Sequence, residues 1–426
     1  MMTQTVLPFK LEMTRDTVTP HAGLALVAEF AWALDLPGTL DREMPGPGSG
    51  AGYDPSEFVM PLILMLQGGG RSLEDLRQIR QDAGLRELVG MERMPSSDAT
   101  GDWLRRMGAG EGLSGLAAAN RELLRRGMKR DGLTEYTLDM DATQIVAEKE
   151  EAKVTYKGER GYMPMVGHLA ENGLEVGDEF RAGNESPGSG NLEFIRYCAS
   201  QMPEGRRIGY LRSDSAAYQA AILNWCEENG VSFAIGADLD CAVQSTIAAI
   251  PEGDWRPYQD GHMAETVHSM EKTVKAFRLV VIRRPVQKDF FLPEDPRCRY
   301  TAIASNREEG SKETAVWYNQ RGEASENRIK ELKIGFGMER MPCGEREANA
   351  VFFRIGMLAY NLFVLFKRAA LPEGWVRHQV QTIRWRLYGT AGKVVAHAGY
   401  VVLKVRRCLY ALFEEVRLRC AEQAWA

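Results

Sequence analysis

Residues 133–146, LTEYTLDMDATQIV, mark the point where the chain changes its periodicity. Before them, apolar residues recur at helical spacing. Within them they alternate: Tyr136, Leu138 and Met140 fall on one face of an extended strand, and Thr137, Asp139 and Asp141 on the other, because successive strand residues point to opposite sides. Further strand patterns follow around MVGHLAENGLEVGDEFRAGN, then a helix in LEFIRYCASQM, a strand in RRIGYLRSDSA, a helix in YQAAILNWCEENG and a strand in VSFAIGA. Three strands, a helix, a strand, a helix and a strand predict an α/β fold.

The flanks of this core read differently. Upstream, HAGLALVAEFAWALDL and SEFVMPLILMLQGG have helical apolar content and are separated by the loop MPGPGSGAGYDP. Ser72 is placed to cap a helix carrying Leu73, Leu76 and Ile79, and SSDATGDWLRRM reads as another capped helix start. A helical region over 1–132 suits DNA binding and suits an inert helical cap about as well. Downstream, residues 238–299 carry polar connections and short β patches such as FRLVVIRRPV, and RYTAIASN resumes a buried strand. Long helices are expected to close the chain, one from about Ser325, one over 347–368, and basic ones beyond.

Bulk properties exclude little. A chain of 426 residues exceeds one simple core, so two or three domains are expected. The net charge of −5 gives no sign of a polyanionic partner. A local basic face still suits nucleic acid, and residues 375–410 carry Arg377, Arg384, Arg386, Lys393, Lys404, Arg406 and Arg407 with no acid among them. Seven scattered cysteines form neither a disulfide framework nor a zinc knuckle, and reduced thiols in a cytosolic protein are expected. The N-terminus shows no signal-peptide pattern. The apolar run AVFFRIGMLAYNLFVLF, 350–366, contains Arg354 and Asn361 and reads as a buried core helix in preference to a membrane span.

Three acids stand out by position. Asp141 ends one strand in DMDAT, and Asp214 ends another in LRSDSA, where sites form in α/β sheets. Each alone reads sooner as a turn or helix cap, since caps are so common. Glu326 lies in YNQRGEASENRIKELK, residues 318–333, where Glu326, Ile329, Lys330 and Lys333 share one face of a helix starting near Ser325. A surface ion pair between Glu326 and Lys330 is the plain alternative. Together, three carboxylates suit Mg²⁺, which prefers oxygen ligands and keeps several waters. Histidine and cysteine are not needed for such a site.

An ordered series of motifs resembles bacterial insertion-sequence transposases of the DDE class with a YREK signature: LDMDAT, RAGN, RSDSAAY, ENRIKELK and ANAVFFRIGMLAYNLFVLFK, followed by the basic TIRWRLYGTAGKVVAHAGYVVLKV. The resemblance spans the chain from about residue 133 onward. It implies a ribonuclease-H-like mixed sheet with flanking helices, split by a mainly β insertion at 238–299 into core segments 133–237 and 300–370, with a basic helical region at 371–426. It implies that Asp141, Asp214 and Glu326 bind two Mg²⁺ ions, for which Mn²⁺ is expected to substitute. Asp139, on the same strand face, is the alternative to Asp141, and Glu323 the alternative to Glu326. Tyr318, Arg321 and Lys333 match the signature positions that contact DNA phosphates, with Lys330 on the same helix face. Trp255 lies where related enzymes hold a flipped base, although a packing role is the commoner one for a tryptophan.

Two departures matter. Four residues, GEAS, separate Arg321 from Glu326 where the family has three, so a non-helical kink is expected near Gly322 to keep Arg321 facing DNA. Ala142 and Ala216 replace residues that are more often polar or glycine. The implied activity is cut-and-paste transposition: binding terminal inverted repeats of double-stranded DNA, metal-dependent cleavage and strand transfer by a homodimer, in the bacterial cytoplasm on the nucleoid. A catalytically inactive DNA-binding derivative and a nuclease without joining activity are the rival readings.

Overall fold

A computed structural model describes residues 7, 9–285 and 298–424, with the side chains of 323–325 outside the description. Strand β1 (Thr17–Thr19) opens the chain, followed by α1 (Ala22–Ala33), α2 (Leu36–Glu43), α3 (Pro55–Gly68), α4 (Leu76–Gln81), α5 (Ala83–Leu88), α6 (Ser97–Ala109) and α7 (Gly112–Asp131). Local chemistry starts these helices. Glu57 reaches back to the Asp54 backbone N–H at 2.8 Å, completing a capping box, and Pro55 occupies the first turn of α3, where a missing N–H costs nothing. Ser96 accepts from the Ala99 N–H and caps α6.

The alternating stretch forms β2 (Glu135–Ala142). A small sheet of β3 (Ile145–Val146), β4 (Lys153–Val154) and β5 (Arg160–Tyr162) follows, and then β6 (Met165–Leu169) and β7 (Glu175–Glu179). The chain continues through α8 (Asn191–Gln201), β8 (Arg207–Ser213), α9 (Ala220–Glu228), β9 (Ser232–Ala237), α10 (Cys241–Ala248), β10 (Arg256–Tyr258), β11 (Gly261–His268), β12 (Phe277–Pro285) and β13 (Cys298–Ser305).

Nine of these strands form one mixed sheet in the order β10-β11-β12-β13-β9-β8-β2-β6-β7. The β2–β8 and β8–β9 pairs are parallel, and the other pairs are antiparallel. Parallel neighbours need long crossovers, which α8 and α9 supply, whereas β2, β6 and β7 run as a meander. This is the mixed sheet with flanking helices expected from the sequence. Strand β13 sits between β12 and β9, so β10, β11 and β12 lengthen the central sheet.

The chain ends with α11 (Ser311–Lys330), a π-helical turn (Glu331–Gly335), α12 (Arg346–Ala369), α13 (Val380–Ile383), β14 (Gly392–His397), β15 (Tyr400–Lys404) and α14 (Arg407–Ala424). Helix α12 is the apolar run, buried from Ala348 to Lys367 between the sheet and the N-terminal helices. Its two interrupting polar residues are satisfied. Arg354 donates to Asp178 Oδ1 at 2.8 Å and to the Leu113 carbonyl at 3.0 Å, and Asn361 donates to Asn120 at 2.7 Å and to the Glu175 carbonyl at 2.8 Å. In the C-terminal region the hairpin β14–β15, which joins β1 in a three-stranded sheet, was not expected from its basic composition.

Two expectations about α11 are corrected. The helix begins at Ser311, well before Ser325, and it runs unbroken through Gly322 to Lys330. A lone glycine costs a helix only about 1 kcal/mol. Burial of Thr314 and Ala315 against the β12–β13 end of the sheet outweighs that cost. The helix widens only afterwards, in the π turn that carries Lys333.

Candidate active site

Strands β2 and β8 are parallel neighbours in which Asp139 lies opposite Arg212. Two residues further on, on the same face, the strands end at Asp141 and Asp214. The two paired positions have opposite characters. Asp139 is fully buried and held by two arms of Arg212, with Nε to Oδ1 and Nη2 to Oδ2 both at 2.7 Å. That carboxylate is ion-paired and shut from solvent, whereas Asp141 is partly exposed. Asp141 and Asp214 instead line a cavity of about 60 Å³ together with Asn191 and Ser213. Asp214 also accepts from the Ala216 N–H at 3.1 Å and caps the short 3-10 turn that follows, so its capping role coexists with its place on the cavity.

Helix α11 brings the third set of groups. Arg321 Nη1 lies 3.8 Å from Asp141 Oδ2, so this arginine reaches the site without a kink. Tyr318, one turn earlier, tucks its hydroxyl against Gly236: a Cβ there would lie 2.8 Å from the Tyr318 oxygen, so a larger residue on β9 would displace the Tyr318 side chain. Burial raises the Tyr318 pKa, Arg321 opposes the rise, and the charges of Asp214 and Asp141 add to it. Glu326 is exposed on the flank of α11, and the side chain of Glu323 lies outside the described residues.

Asp141 senses all of these groups. Its pKa is pushed up to about 6, first by burial, then against the pull of Arg321, with Asp214 and Glu326 adding like charge. A carboxylate strained in this way beside two other acids is a marker of a functional site. Among the described residues, no three His, Cys, Asp or Glu side chains converge closely enough to hold a metal ion. Asp141 and Asp214 nonetheless supply hard oxygen donors on one cavity, and a cation between them would relieve the repulsion that raises the Asp141 pKa, so the donor chemistry fits Mg²⁺.

The remaining predicted contacts are dispersed. Lys330 is exposed. Lys333 is half-buried and donates to the Gln144 carbonyl at 2.6 Å, just past the end of β2, with burial lowering its pKa. Trp255 is buried, with the Arg283 guanidinium 4.3 Å from its ring and Tyr300 alongside, so in this structure it packs and does not project. Sequence reasoning passed over Arg212 and Arg328. Arg328 anchors the end of α11 by donating to the Leu169 and Ala170 carbonyls at 2.9 and 2.7 Å. The signal for Arg212 was present: it precedes Asp214 by the same two residues that separate Asp139 from Asp141.

A family model described as "Transposase DDE domain group 1" matches residues 6–416. No curated protein matches the chain. Among solved structures, the chain is similar to a piggyBac transposase in a cryo-EM synaptic complex with hairpin DNA, with a TM-score of 0.48 and 9% identity over 88% of this chain and 82% of that one.

Proposed function

The chain belongs to the transposase DDE domain group 1 family, and from that membership we propose that it is a cut-and-paste transposase acting at the ends of a bacterial insertion sequence. The observation that carries the reading is the open acidic pair, Asp141 and Asp214, facing one cavity at the ends of adjacent parallel strands. A neutralised ion pair sits directly behind it on the same strands. Nothing in the packing of the core requires an unneutralised pair there, whereas phosphodiester chemistry does.

In this reading Asp141 and Asp214 hold divalent cations, and Glu326 joins them when α11 settles onto DNA. Two Mg²⁺ ions held there, or Mn²⁺ in their place, would supply activation of the attacking hydroxyl and charge stabilisation at the leaving oxygen of a phosphodiester. Tyr318, Arg321, Glu326 and Lys333 make up the YREK signature. Arg321 supplies fixed positive charge beside Asp141, and the Tyr318 hydroxyl is placed to donate to a phosphate oxygen. Lys330, free of the sheet, adds a phosphate contact. Lys333 reaches DNA by releasing the Gln144 carbonyl. Trp255 keeps a packing role. Two element ends require two active sites, so the working species is a homodimer on paired double-stranded DNA ends, located on the nucleoid. Basic side chains of the C-terminal segment contribute phosphate contacts and make binding strongly salt-dependent.

The test is incubation of the protein with Mg²⁺ and DNA carrying the repeats that flank its own gene. End cleavage followed by strand joining is the expected result. Binding without cleavage would point to an inactive DNA-binding derivative, and cleavage without joining to a simple nuclease.

A further inference from the structure

We propose that Arg212 is a positioning residue whose single guanidinium fixes the three acid-bearing elements relative to one another. The inference rests on the transposase reading above. The Arg212 backbone belongs to β8, two residues before Asp214. Its Nε and Nη2 donate to both oxygens of Asp139 on β2, two residues before Asp141, at 2.7 Å each. Its remaining arm, Nη1, donates to the Trp317 carbonyl of α11 at 2.8 Å. One side chain therefore binds the strand of the first acid and the helix of the third from its seat on the strand of the second.

The arrangement is stiff for identifiable reasons. A planar guanidinium presents its N–H groups in a fixed fork, so the two-armed carboxylate bond sets the angle at which the third arm points at α11. Two cations lie against the Trp317 ring, with the Arg212 carbon 4.9 Å and the Arg307 carbon 4.0 Å from its centre. That contact holds the helix in rotation as well as in distance. Trp317 immediately precedes Tyr318 and lies one turn from Arg321. Glu326 is nine residues further along, roughly 13–14 Å at 1.5 Å per residue, so a small tilt at the anchor moves it appreciably. Along the strands the anchor lies about 6–7 Å behind the Asp141–Asp214 pair.

Direct participation is ruled out by access, since Arg212 is only 2% exposed and Asp139 is fully buried. Alone, two acids on adjacent strands and one on a helix are held apart by mutual repulsion. The buried fork opposes that repulsion from behind, where it does not neutralise the acids themselves. An ion pair serving the core alone would need only Asp139; the third bond to α11 is what connects it to the site.

Two full-length variants test the inference. Arg212→Lys keeps the charge but loses the fork. Asp139→Leu combined with Arg212→Met replaces the pair by apolar groups, an exchange that buried ion pairs often tolerate without loss of stability. The readouts are thermal melting, Mn²⁺ binding followed by the electron paramagnetic resonance of free Mn²⁺, and the kinetics of DNA-end cleavage. The expected result is a folded protein that binds Mn²⁺ about tenfold or more weakly, with kcat reduced about 10–100-fold and KM for DNA ends changed by less than about threefold. If Arg212→Lys fails to fold, the double variant decides. A folded variant that binds Mn²⁺ and cleaves as the wild type does overturns the positioning role while leaving the transposase reading intact. A wild-type protein that neither binds Mn²⁺ nor cleaves overturns both.

Discussion

Two pairs of charged residues, one step apart on the same two strands, behave in opposite ways. Asp139 and Arg212 form a closed, buried, two-armed ion pair. Asp141 and Asp214 form an open acidic pair beside a cavity, with only the more distant Arg321 to offset it. Both pairs occupy the same face, and both first members are aspartates. The difference shows that position on a strand is not sufficient to make a site; what matters is whether the opposing residue neutralises the charge. The interior closes the rear pair because an unpaired buried carboxylate is too costly. The strand end leaves the front pair exposed enough to take a cation.

The comparison is most severely tested by Arg212→Ala, which strands Asp139 in the interior. A loss of about 3–5 kcal/mol of stability is expected in chemical denaturation, and a loss under 1 kcal/mol would show that the rear pair is not closed. Asp141→Asn and Asp214→Asn should leave the fold intact yet lower DNA-end cleavage by about 10²–10³-fold, while binding of end DNA in a gel shift stays close to wild type.

A smaller and opposite effect concerns stability. The Asp141 pKa is raised to about 6 in the folded protein, above the usual carboxylate value near 3.9. The folded state therefore holds this proton more tightly than the unfolded chain, and stability falls as pH rises from about 4 through 6. Removing the charge should stabilise the metal-free protein by about 1–2 kcal/mol at pH 8, after allowance for partial solvent screening. The gain should vanish below pH 4 and shrink when Mg²⁺ is added. Equal melting temperatures of wild type and Asp141→Asn at pH 8 without metal would remove the claim that the front pair is strained.

The smallest prediction concerns the helix that serves both pairs. A Cβ at Gly322 meets nothing within 4 Å, and the residue is helical. Gly322→Ala should therefore stabilise the protein by about 0.5–1 kcal/mol. Destabilisation instead would restore the kink expected from the extra residue in GEAS.

Much of this was legible beforehand. Alternation in residues 133–146 located β2, the order of strands and helices gave an α/β fold, the family resemblance implied the mixed sheet, and the Arg354 and Asn361 interruptions pointed to α12 as a core helix. Asp141 and Asp214 were singled out from the sequence because strand ends can hold charged groups near solvent, and the fold places both on one cavity. The start of α11 was misplaced because Gly322 and a dense charge run resemble a boundary, and because the apolar support for its first turns comes from β10 to β13 and β9, far away in sequence. The β14–β15 hairpin was hidden by its exposed basic residues Lys393 and Lys404, while β14 pairs with β1 on one side and β15 on the other.

The sequence by itself determined the periodicities, the helix caps, the acids at the strand ends and the family to which the chain belongs. Periodicity and capping are local, and they survive in any fold that buries one face of each element. Which aspartate is neutralised, how α11 approaches the sheet, and that one arginine touches three acid-bearing elements were decided only by the tertiary structure. Those outcomes depend on distances between residues separated by 73 and 105 positions in the chain. Electrostatic energy depends on such distances and on burial, and neither is encoded in local spacing.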